Sequence, residues 1–334
     1  MNNERNTPMR SPRTTTAALA LLFAASALSA CGTDSSSASD GDKNVYALLP
    51  QGTDQPYGTE YLKAMNAEAE KEGISLTITN SQYDADKQAS DCQVAVAAQP
   101  DLIILWPAVA DTVRPCLERA RAADIPVTIT NSDVKEEDKS LTAGYSGPDT
   151  YGQGVSSAEI MCELADGQDI NILQVEGLTG NTTAIDRKAG FEDTIAENCP
   201  NVTIVASQPG DWNKDDSQTV TSEMLTATGA DNIQGIYAAD DTMVAGAIDA
   251  LSSQGLDVEE MLITSIGNTM LGNPLVVSGL LDGTVFQSSE WDGRNAITLA
   301  AKVLAGEELD GDLFMPSVKV TAANASDPEV APNW

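Results

Sequence analysis

The sequence contains no histidine, and its cations are few: 18 Lys and Arg stand against 50 Asp and Glu, for a formal net charge of −32. The absence of histidine excludes Ser-His-Asp and Cys-His catalysis and nearly all zinc chemistry. The negative field repels nucleic acid and anionic lipid, and it argues against an anionic ligand. No glycine-rich phosphate loop follows a predicted strand. These absences favour a binding protein that is not an enzyme and needs no cofactor or metal.

Long apolar runs are equally scarce. The one strong run, residues 17–28, comes after Arg5, Arg10 and Arg13 and is too short to span a bilayer as a permanent helix. A basic start before a short apolar run predicts a secretory signal peptide over residues 1–30. The remainder of the chain is long enough for two domains of about 150 residues each.

The apolar run ends in Leu28-Ser29-Ala30-Cys31, which resembles a bacterial lipobox. The resemblance implies that Cys31 carries a diacylglycerol and anchors an extracytoplasmic protein to the cell membrane. Residues 31–43 are rich in Ser, Asp and Gly, which predicts a flexible tether. The alternative is an ordinary signal peptide with a chance cysteine.

Four further cysteines come after Cys31: Cys92, Cys116, Cys162 and Cys199. An even number in an exported protein predicts two disulfides, with three possible connectivities. Buried free thiols are the alternative.

The first half of the chain alternates strands and helices at a regular pace. Strands are predicted at residues 45–49, 74–78, 102–105 and 126–130, with helices at 57–72, 84–98 and 111–123, the last capped by Asp111. This rhythm predicts a parallel sheet with helices on both faces. Right-handed crossovers place the second and third helices side by side, which favours a Cys92–Cys116 bridge and, by elimination, Cys162–Cys199.

The second half of the chain contains another α/β set. Helices are predicted at residues 150–164, 182–196, 215–228, 242–254 and 292–304, and strands at 170–174, 202–207, 235–238, 262–265, 284–287 and 314–320. Two similar lobes from one chain imply a cleft between them, where ligands usually bind.

The order of these elements resembles the type I periplasmic binding proteins, specifically the ribose- and galactose-binding branch. The local landmarks are Gln55-Pro56-Tyr57, Gly177-Leu178-Thr179-Gly180 followed by Arg187, the stretch 206–212 that ends in Trp212, and the stretch 239–247. The resemblance implies two doubly wound parallel-sheet lobes joined by a three-stranded hinge. The chain would cross between lobes near Ser146, near Gln287 and around Met315-Pro316, with an N-terminal lobe of residues 44–146 plus 288–315 and a C-terminal lobe of 147–287 plus 316–334.

The resemblance also implies a function. The chain would be the monomeric substrate-binding lipoprotein of an ABC importer, closing its hinged lobes on a small neutral sugar or sugar alcohol and presenting it to the permease subunits.

A sugar offers hydroxyls at its edge and flat C–H faces. Planar polar side chains suit the edge and aromatic rings suit the faces. In open parallel sheets the ligand lies beyond the carboxyl ends of the strands, so the candidates are polar or aromatic residues that come after strands. They are Gln55, Tyr57, Trp106, Asn131, Trp212, Asp240, Asn268 and Gln287.

Six of the eight candidates also have a structural interpretation. Tyr57 and Trp106 could pack in the core, Asn131 could form a turn, Trp212 could anchor a lobe surface, and Gln287 could bond within the hinge. Asp240 could cap the next helix, although Asp241 is the better placed of the two.

Three departures from ribose binders stand out. Ser132 replaces an arginine, Ile185 aligns with a second arginine, and Gly267-Asn268 replaces an aspartate. Arg187, two positions beyond Ile185, is interpreted as structural. These departures argue against ribose and for a smaller polyol, a deoxy sugar or a ligand whose apolar edge faces Ile185.

Three other functions compete. A nucleoside or signalling-molecule binder would sandwich a base between Tyr57 and Trp212. A transcription regulator would need an N-terminal DNA-binding unit where this chain has a signal and a tether. A glycoside hydrolase would need paired carboxylates, but Asp240 and Asp241 are neighbours at a helix start, a poor geometry for that reaction.

Overall fold

The computed structural model describes residues 43–334. The predicted signal peptide, Cys31 and all but the last residue of the predicted tether lie outside the described residues. Within 43–334, no helix is long and apolar enough to cross a membrane.

Residues 43–334 form two six-stranded sheets. The first sheet has the order β11-β5-β4-β3-β1-β2, and every neighbouring pair in it is parallel. Its strands are β1 (Lys43–Leu49), β2 (Ile74–Asn80), β3 (Leu102–Leu105), β4 (Val127–Thr130), β5 (Tyr145–Pro148) and β11 (Leu313–Met315).

The second sheet repeats this arrangement with the order β12-β10-β9-β8-β6-β7. Its pairs are parallel except for β10 and β12. Its strands are β6 (Ile170–Glu176), β7 (Val202–Pro209), β8 (Gly235–Ala238), β9 (Leu262–Thr264), β10 (Gly283–Val285) and β12 (Lys319–Thr321).

Helices cover both faces of each sheet, so central strands such as β3 and β8 are buried at every residue rather than at alternate ones. They are α1 (Pro56–Glu72), α2 (Ala85–Ala97), α3 (Ala110–Ala122), α4 (Thr150–Ala165), α5 (Thr182–Asn198), α6 (Lys214–Thr228), α7 (Asp241–Ser253), α8 (Gly272–Ser278) and α9 (Ser289–Leu304). On the first sheet, Ala47 and Ile104 face α1 and α9, whereas Leu48 and Ile103 face α2 and α3. On the second, α4 packs with α5 and α6 with α7.

Local signals account for most helix ends. Gly73 ends α1 in the left-handed conformation at φ 64°, which costs glycine no steric clash. Asp84 caps α2 by accepting from the Lys87 backbone N–H, and Ser288 caps α9 by accepting from that of Trp291. These two caps fix where the chain enters each helix.

The chain passes between the sheets three times. It leaves the first sheet after β5 to form α4, returns from β10 into α9, and leaves again between β11 and β12. The prediction of one strand over residues 314–320 is wrong, since Pro316 has no N–H for a ladder and β11 and β12 belong to different sheets.

The two disulfides join Cys92 to Cys116 and Cys162 to Cys199, with Cα–Cα distances of 5.9 and 5.6 Å. This is the pairing that the predicted topology favours. The first bridge ties α2 to α3 on one face of the first sheet.

The prediction that Asp111 caps α3 is wrong. The helix begins one residue earlier, at Ala110, and Val109 occupies the cap position without a side-chain hydrogen bond. Asp111 instead lies in the first turn and pairs with Lys135. An acidic side chain there still interacts favourably with the positive end of the helix dipole.

Candidate functional site

A cavity of about 420 Å³ lies between the two sheets. Its lining contains seven of the eight candidate residues, drawn from both sheets: Gln55, Tyr57, Trp106, Asn131, Trp212, Asp240 and Gln287. They converge because they lie beyond the carboxyl ends of parallel strands, which meet at one edge of each sheet.

Tyr57 is the centre of a hydrogen-bond network on the first-sheet side of the cavity. Its hydroxyl donates to Asp292 Oδ2 over 2.6 Å and accepts from Asn131 Nδ2 (2.9 Å) and Gln287 Nε2 (3.1 Å). Asn131 Nδ2 also donates to Asp292 Oδ2 over 2.7 Å. The network joins α1, the end of β4, α9 and the second crossing between the sheets, so it fixes these polar groups before any ligand enters.

Asp292 lies behind the cavity wall and is fully buried. Burial raises the pKa of its carboxyl to about 7, although the hydrogen bonds from Asn131 and Tyr57 favour the charged form. The same burial, together with the Asp292 charge, holds the pKa of Tyr57 well above its ordinary value. Tyr57 therefore remains a neutral hydroxyl.

Arg187 lines the second-sheet side of the cavity. Its Nε and Nη2 donate to Gln153 Oε1 over 3.0 and 2.8 Å, its Nη1 donates to the Ala239 carbonyl over 2.7 Å, and Nη2 also donates to Gln287 Oε1. Its guanidinium carbon lies 5.8 Å from the centre of the Trp212 ring. The structural interpretation of Arg187 is therefore incomplete, because the side chain both braces the crossing at Gln287 and faces the cavity.

Asp240 contributes a carboxylate from the end of β8. Its Oδ1 accepts from the Met243 backbone N–H over 2.7 Å, so Asp240 caps α7. Burial raises its pKa to about 6, while the bonds from the α7 N-terminus and the Arg187 charge favour ionisation.

The preference for Asp241 as the cap is wrong. Asp241 is buried and instead accepts from Ser265, Thr284 and the Thr269 backbone N–H.

Asn268 does not line the cavity, which corrects the prediction that it replaces a ligand-binding aspartate. It is fully buried, and its Nδ2 donates to the Val330 carbonyl while its Oδ1 accepts from Asn273. Its backbone φ of 49° lies in the left-handed region that asparagine tolerates, so its place in the sequence reflects a turn.

Ile185 also lies outside the cavity lining, with 52% of its surface exposed. The expectation of a ligand edge facing Ile185 is therefore wrong. Arg187 lies two residues further along the same helix, α5, and it is Arg187 that faces inward.

Two buried polar atoms of the cavity lining have no hydrogen-bond partner among residues 43–334: Trp106 Nε1, a donor, and Gln51 Oε1, an acceptor. An unpaired buried polar group costs about 1–3 kcal/mol, so these two atoms lower the stability of this wall. Gln51 comes soon after β1 and would have met the criterion applied to the other candidates.

Sequence reasoning also missed Tyr83 and Trp334, which line the cavity. Tyr83 Oη accepts from Gln51 Nε2 over 2.7 Å, and its backbone φ is 60°. Tyr83 comes soon after β2 and, like Gln51, meets the criterion of a polar or aromatic residue that comes after a strand. Trp334 lies far from the end of any strand in the sequence, and only the fold brings it to the cavity.

One side of the cleft is closed by direct hydrogen bonds between the two lobes. Asn181 Nδ2, at the start of α5, donates to Ser132 Oγ and to the Ala108 carbonyl, each over 3.1 Å. Thr182 Oγ1 donates to the Asp133 carbonyl over 2.6 Å, and the Thr183 and Ser132 hydroxyls lie 2.8 Å apart. Ser132 therefore supplies a contact between lobes.

Several known proteins resemble this chain in sequence or in structure. The galactofuranose-binding protein YtfQ of Escherichia coli is 32% identical over 225 residues, which cover 67% of this chain and 70% of that protein. A crystal structure of a galactofuranose binding protein matches with a TM-score of 0.79 at 27% identity, over 85% of this chain and 96% of that one. The periplasmic binding protein of the arabinose ABC transporter from Shewanella sp. ANA-3, bound to α- and β-L-arabinofuranose, matches with a TM-score of 0.77 at 27% identity, over 85% of this chain and 93% of that one.

The periplasmic binding protein domain matches residues 46–308. Since that match spans most of the sequence, this chain belongs to the periplasmic binding protein domain family.

Proposed function

We propose that this chain is the substrate-binding component of an ABC importer and that it binds a sugar or sugar alcohol in the cavity between its lobes. The observation that carries the proposal is the convergence of seven polar and aromatic side chains, chosen for sugar chemistry, on one cavity of about 420 Å³. This volume lies within the range of small-molecule sites. The relatives named above, which bind galactofuranose and arabinofuranose, support the ligand class.

The chemistry of the lining fits a polyhydroxylated ligand. Asp240 presents a carboxylate oxygen that can accept hydrogen bonds from sugar hydroxyls, and Asn131 and Gln287 present planar amides. Trp106 adds an aromatic ring to the cavity wall, in edge contact with Tyr57. Trp212 supplies a ring for a C–H face, and the nearby Arg187 holds that ring in place by a cation–π contact.

A nucleoside, the competing ligand, would need its base sandwiched between two rings. Tyr57 is only 5% exposed, and its ring already meets Trp106 and Trp334 in edge contacts with centroid distances of 5.6 and 4.8 Å. Little of its face remains for a base. We therefore favour the sugar over the nucleoside.

The sequence argues against ribose because two arginines and one aspartate of ribose binders are absent from it. Arg187 lines the cavity and Ile185 does not, so ribose, furanose sugars and cyclic polyols all belong among the ligands to be tested.

We also propose the finer features of this role. The lobes would comprise residues 44–146 plus 288–315 and residues 147–287 plus 316–334, and would close about the three crossings to give the permease subunits a distinct bound shape. Cys31 would carry the lipid that anchors a monomer to the outer face of the cell membrane. The lipobox-like sequence supports that anchor.

The test is mass spectrometry of the small molecules that co-purify with residues 43–334, and then thermal-shift measurements. The panel contains aldoses able to form furanoses, cyclic polyols, and purine and pyrimidine nucleosides. A sugar or polyol should raise the melting temperature in proportion to the logarithm of its concentration above Kd. Stabilisation by a nucleoside alone would contradict the proposal.

A further inference from the structure

The last residues of the chain return to the cavity. After a 3-10 turn at Pro328–Val330, Asn333 bonds to both serines at the start of α9: its Nδ2 donates to Ser288 Oγ over 2.8 Å and its Oδ1 accepts from Ser289 Oγ over 3.2 Å. Asn333 therefore fixes the position of Trp334.

Trp334 is held from two further directions. Its Nε1 donates to the Gln287 carbonyl over 2.8 Å, and its backbone oxygen accepts from the Met270 N–H over 2.6 Å. Gln287 lies at the second crossing, and Met270 lies in the loop after β9, so both anchors are on the second-sheet side.

The indole itself meets the first-sheet side. Its ring centroid lies 4.8 Å from that of Tyr57, with an interplanar angle of 82°, and the ring packs on the apolar cluster that contains Tyr57 and Trp106. Tyr57 is the hydrogen-bond centre of the cavity wall. Trp334 is thus both a wall and a brace for the residue on which the polar network depends.

We propose that Trp334 is a specificity-determining residue, which closes one side of the cavity and restricts the ligand to a single sugar or polyol ring. This inference rests on the proposed sugar-binding function and adds a size limit to it. The indole is fixed by hydrogen bonds at its ring and at its backbone, so it cannot swing aside cheaply for a longer ligand.

The side chain has two roles that substitution can separate. Its bulk forms part of the cavity wall, and its N–H sets the position of the ring against Gln287. Trp334→Ala removes both, whereas Trp334→Phe keeps an aromatic wall and removes only the N–H. Trp291→Ala is the matched control, because Trp291 lies on α9 outside the cavity lining.

The experiment is calorimetric titration of ligand-stripped protein with the best monosaccharide from the panel and with a disaccharide that contains it. Trp334→Ala should weaken monosaccharide binding about tenfold or more, which corresponds to one lost aromatic contact of ~1.4 kcal/mol, and should bind the disaccharide relatively better than the wild type. Trp334→Phe should keep the preference for the single ring, and Trp291→Ala should match the wild type.

Two results would overturn the proposal. One is a Trp334→Ala protein that folds with wild-type affinity and wild-type size preference. The other is an equal loss of affinity in Trp291→Ala, which would mean that the effect is not local to the cavity. If the wild type binds no sugar or polyol, the proposed function fails first and the size limit fails with it.

Discussion

At the scale of single residues, the cavity wall depends on buried groups that never face the ligand. Asp292 is fully buried, yet it accepts hydrogen bonds from Tyr57 and Asn131 and so orients both. A buried carboxylate is tolerated because these donors replace water. The cost of burying the charge nevertheless appears in the raised pKa of Asp292.

That cost predicts a pH dependence of stability. The folded pKa of Asp292 is about 7, above its unfolded value of ~3.9. Between these values the folded protein holds a proton that the unfolded chain has released, so the free energy of unfolding falls as the pH rises through this window. Urea denaturation at several pH values should show that fall in the wild type and a shallower one in Asp292→Asn. Parallel curves for the two proteins would contradict this explanation.

Asp240 has two roles that substitution can separate. It caps α7 and presents a carboxylate to the cavity. Asp240→Ala should lose about 1 kcal/mol of stability and also lose ligand affinity, since both roles go. Asp240→Ser should keep most of the stability, because serine caps helices well, yet still lose affinity. Chemical denaturation and calorimetry on the two variants measure the split. Equal affinity for Asp240→Ser and the wild type would exclude Asp240 from the site.

At the scale of elements, the sequence allows most of the fold to be predicted. The predicted bounds of β3 and β8 match the observed ones, and most other elements lie within a few residues of their predicted positions. Strand β5 was missed because Tyr145–Pro148 contains glycine and proline, which are typical of a turn. Helix α8 was missed because it is short and begins with Gly, Asn and Pro.

The site could be predicted where function depends on strand order, and not where it depends on distant contacts. Asn131, Trp212 and Asp240 come after strands and line the cavity. Asn268 comes after a strand as well, but its amide bonds to Val330, 62 residues away, and no local pattern reveals such a partner. Trp334 was missed for the converse reason, since no nearby strand marks it and it reaches the cavity only through the fold.

The disulfides carry a prediction at this scale. The Cys92–Cys116 bridge closes a 24-residue separation between α2 and α3. Replacing both cysteines by serine should lower the free energy of unfolding by about 3 kcal/mol, because the unfolded chain regains entropy. The Cys162→Ser/Cys199→Ser protein is the control for an effect on the other lobe. Guanidinium unfolding without reductant measures both. A Cys92→Ser/Cys116→Ser protein as stable as the wild type would show that the bridge contributes nothing.

At the scale of the whole molecule, the lobes are held together by the three crossings and by the bonds around Asn181. The hydrogen bonds that Asn181 Nδ2 donates span the cleft to Ser132 and Ala108, whereas its Oδ1 faces the Ala184 N–H of its own helix. The side chain therefore links closure of the cleft to the start of α5.

Removing that link should favour the open form. Asn181→Ala and Asn181→Asp both lose the amide donor, but aspartate keeps the helix cap. Both variants should therefore bind ligand more weakly, by about tenfold, since each lost hydrogen bond is worth about 1 kcal/mol. Small-angle scattering without ligand should give a larger radius of gyration for both than for the wild type. An unchanged radius and affinity in both would exclude Asn181 as a closing contact.

The central claim is that one sugar or polyol binds among the converging side chains of the cavity. Isothermal titration calorimetry of ligand-stripped residues 43–334 tests it most directly, with the wild type, Trp212→Ala and the control Trp291→Ala compared on the same ligand. We expect saturable one-to-one binding in the wild type and in Trp291→Ala, and a loss of about tenfold or more in Trp212→Ala. Undiminished binding in Trp212→Ala, or no binding of any sugar or polyol by the wild type, would contradict the claim.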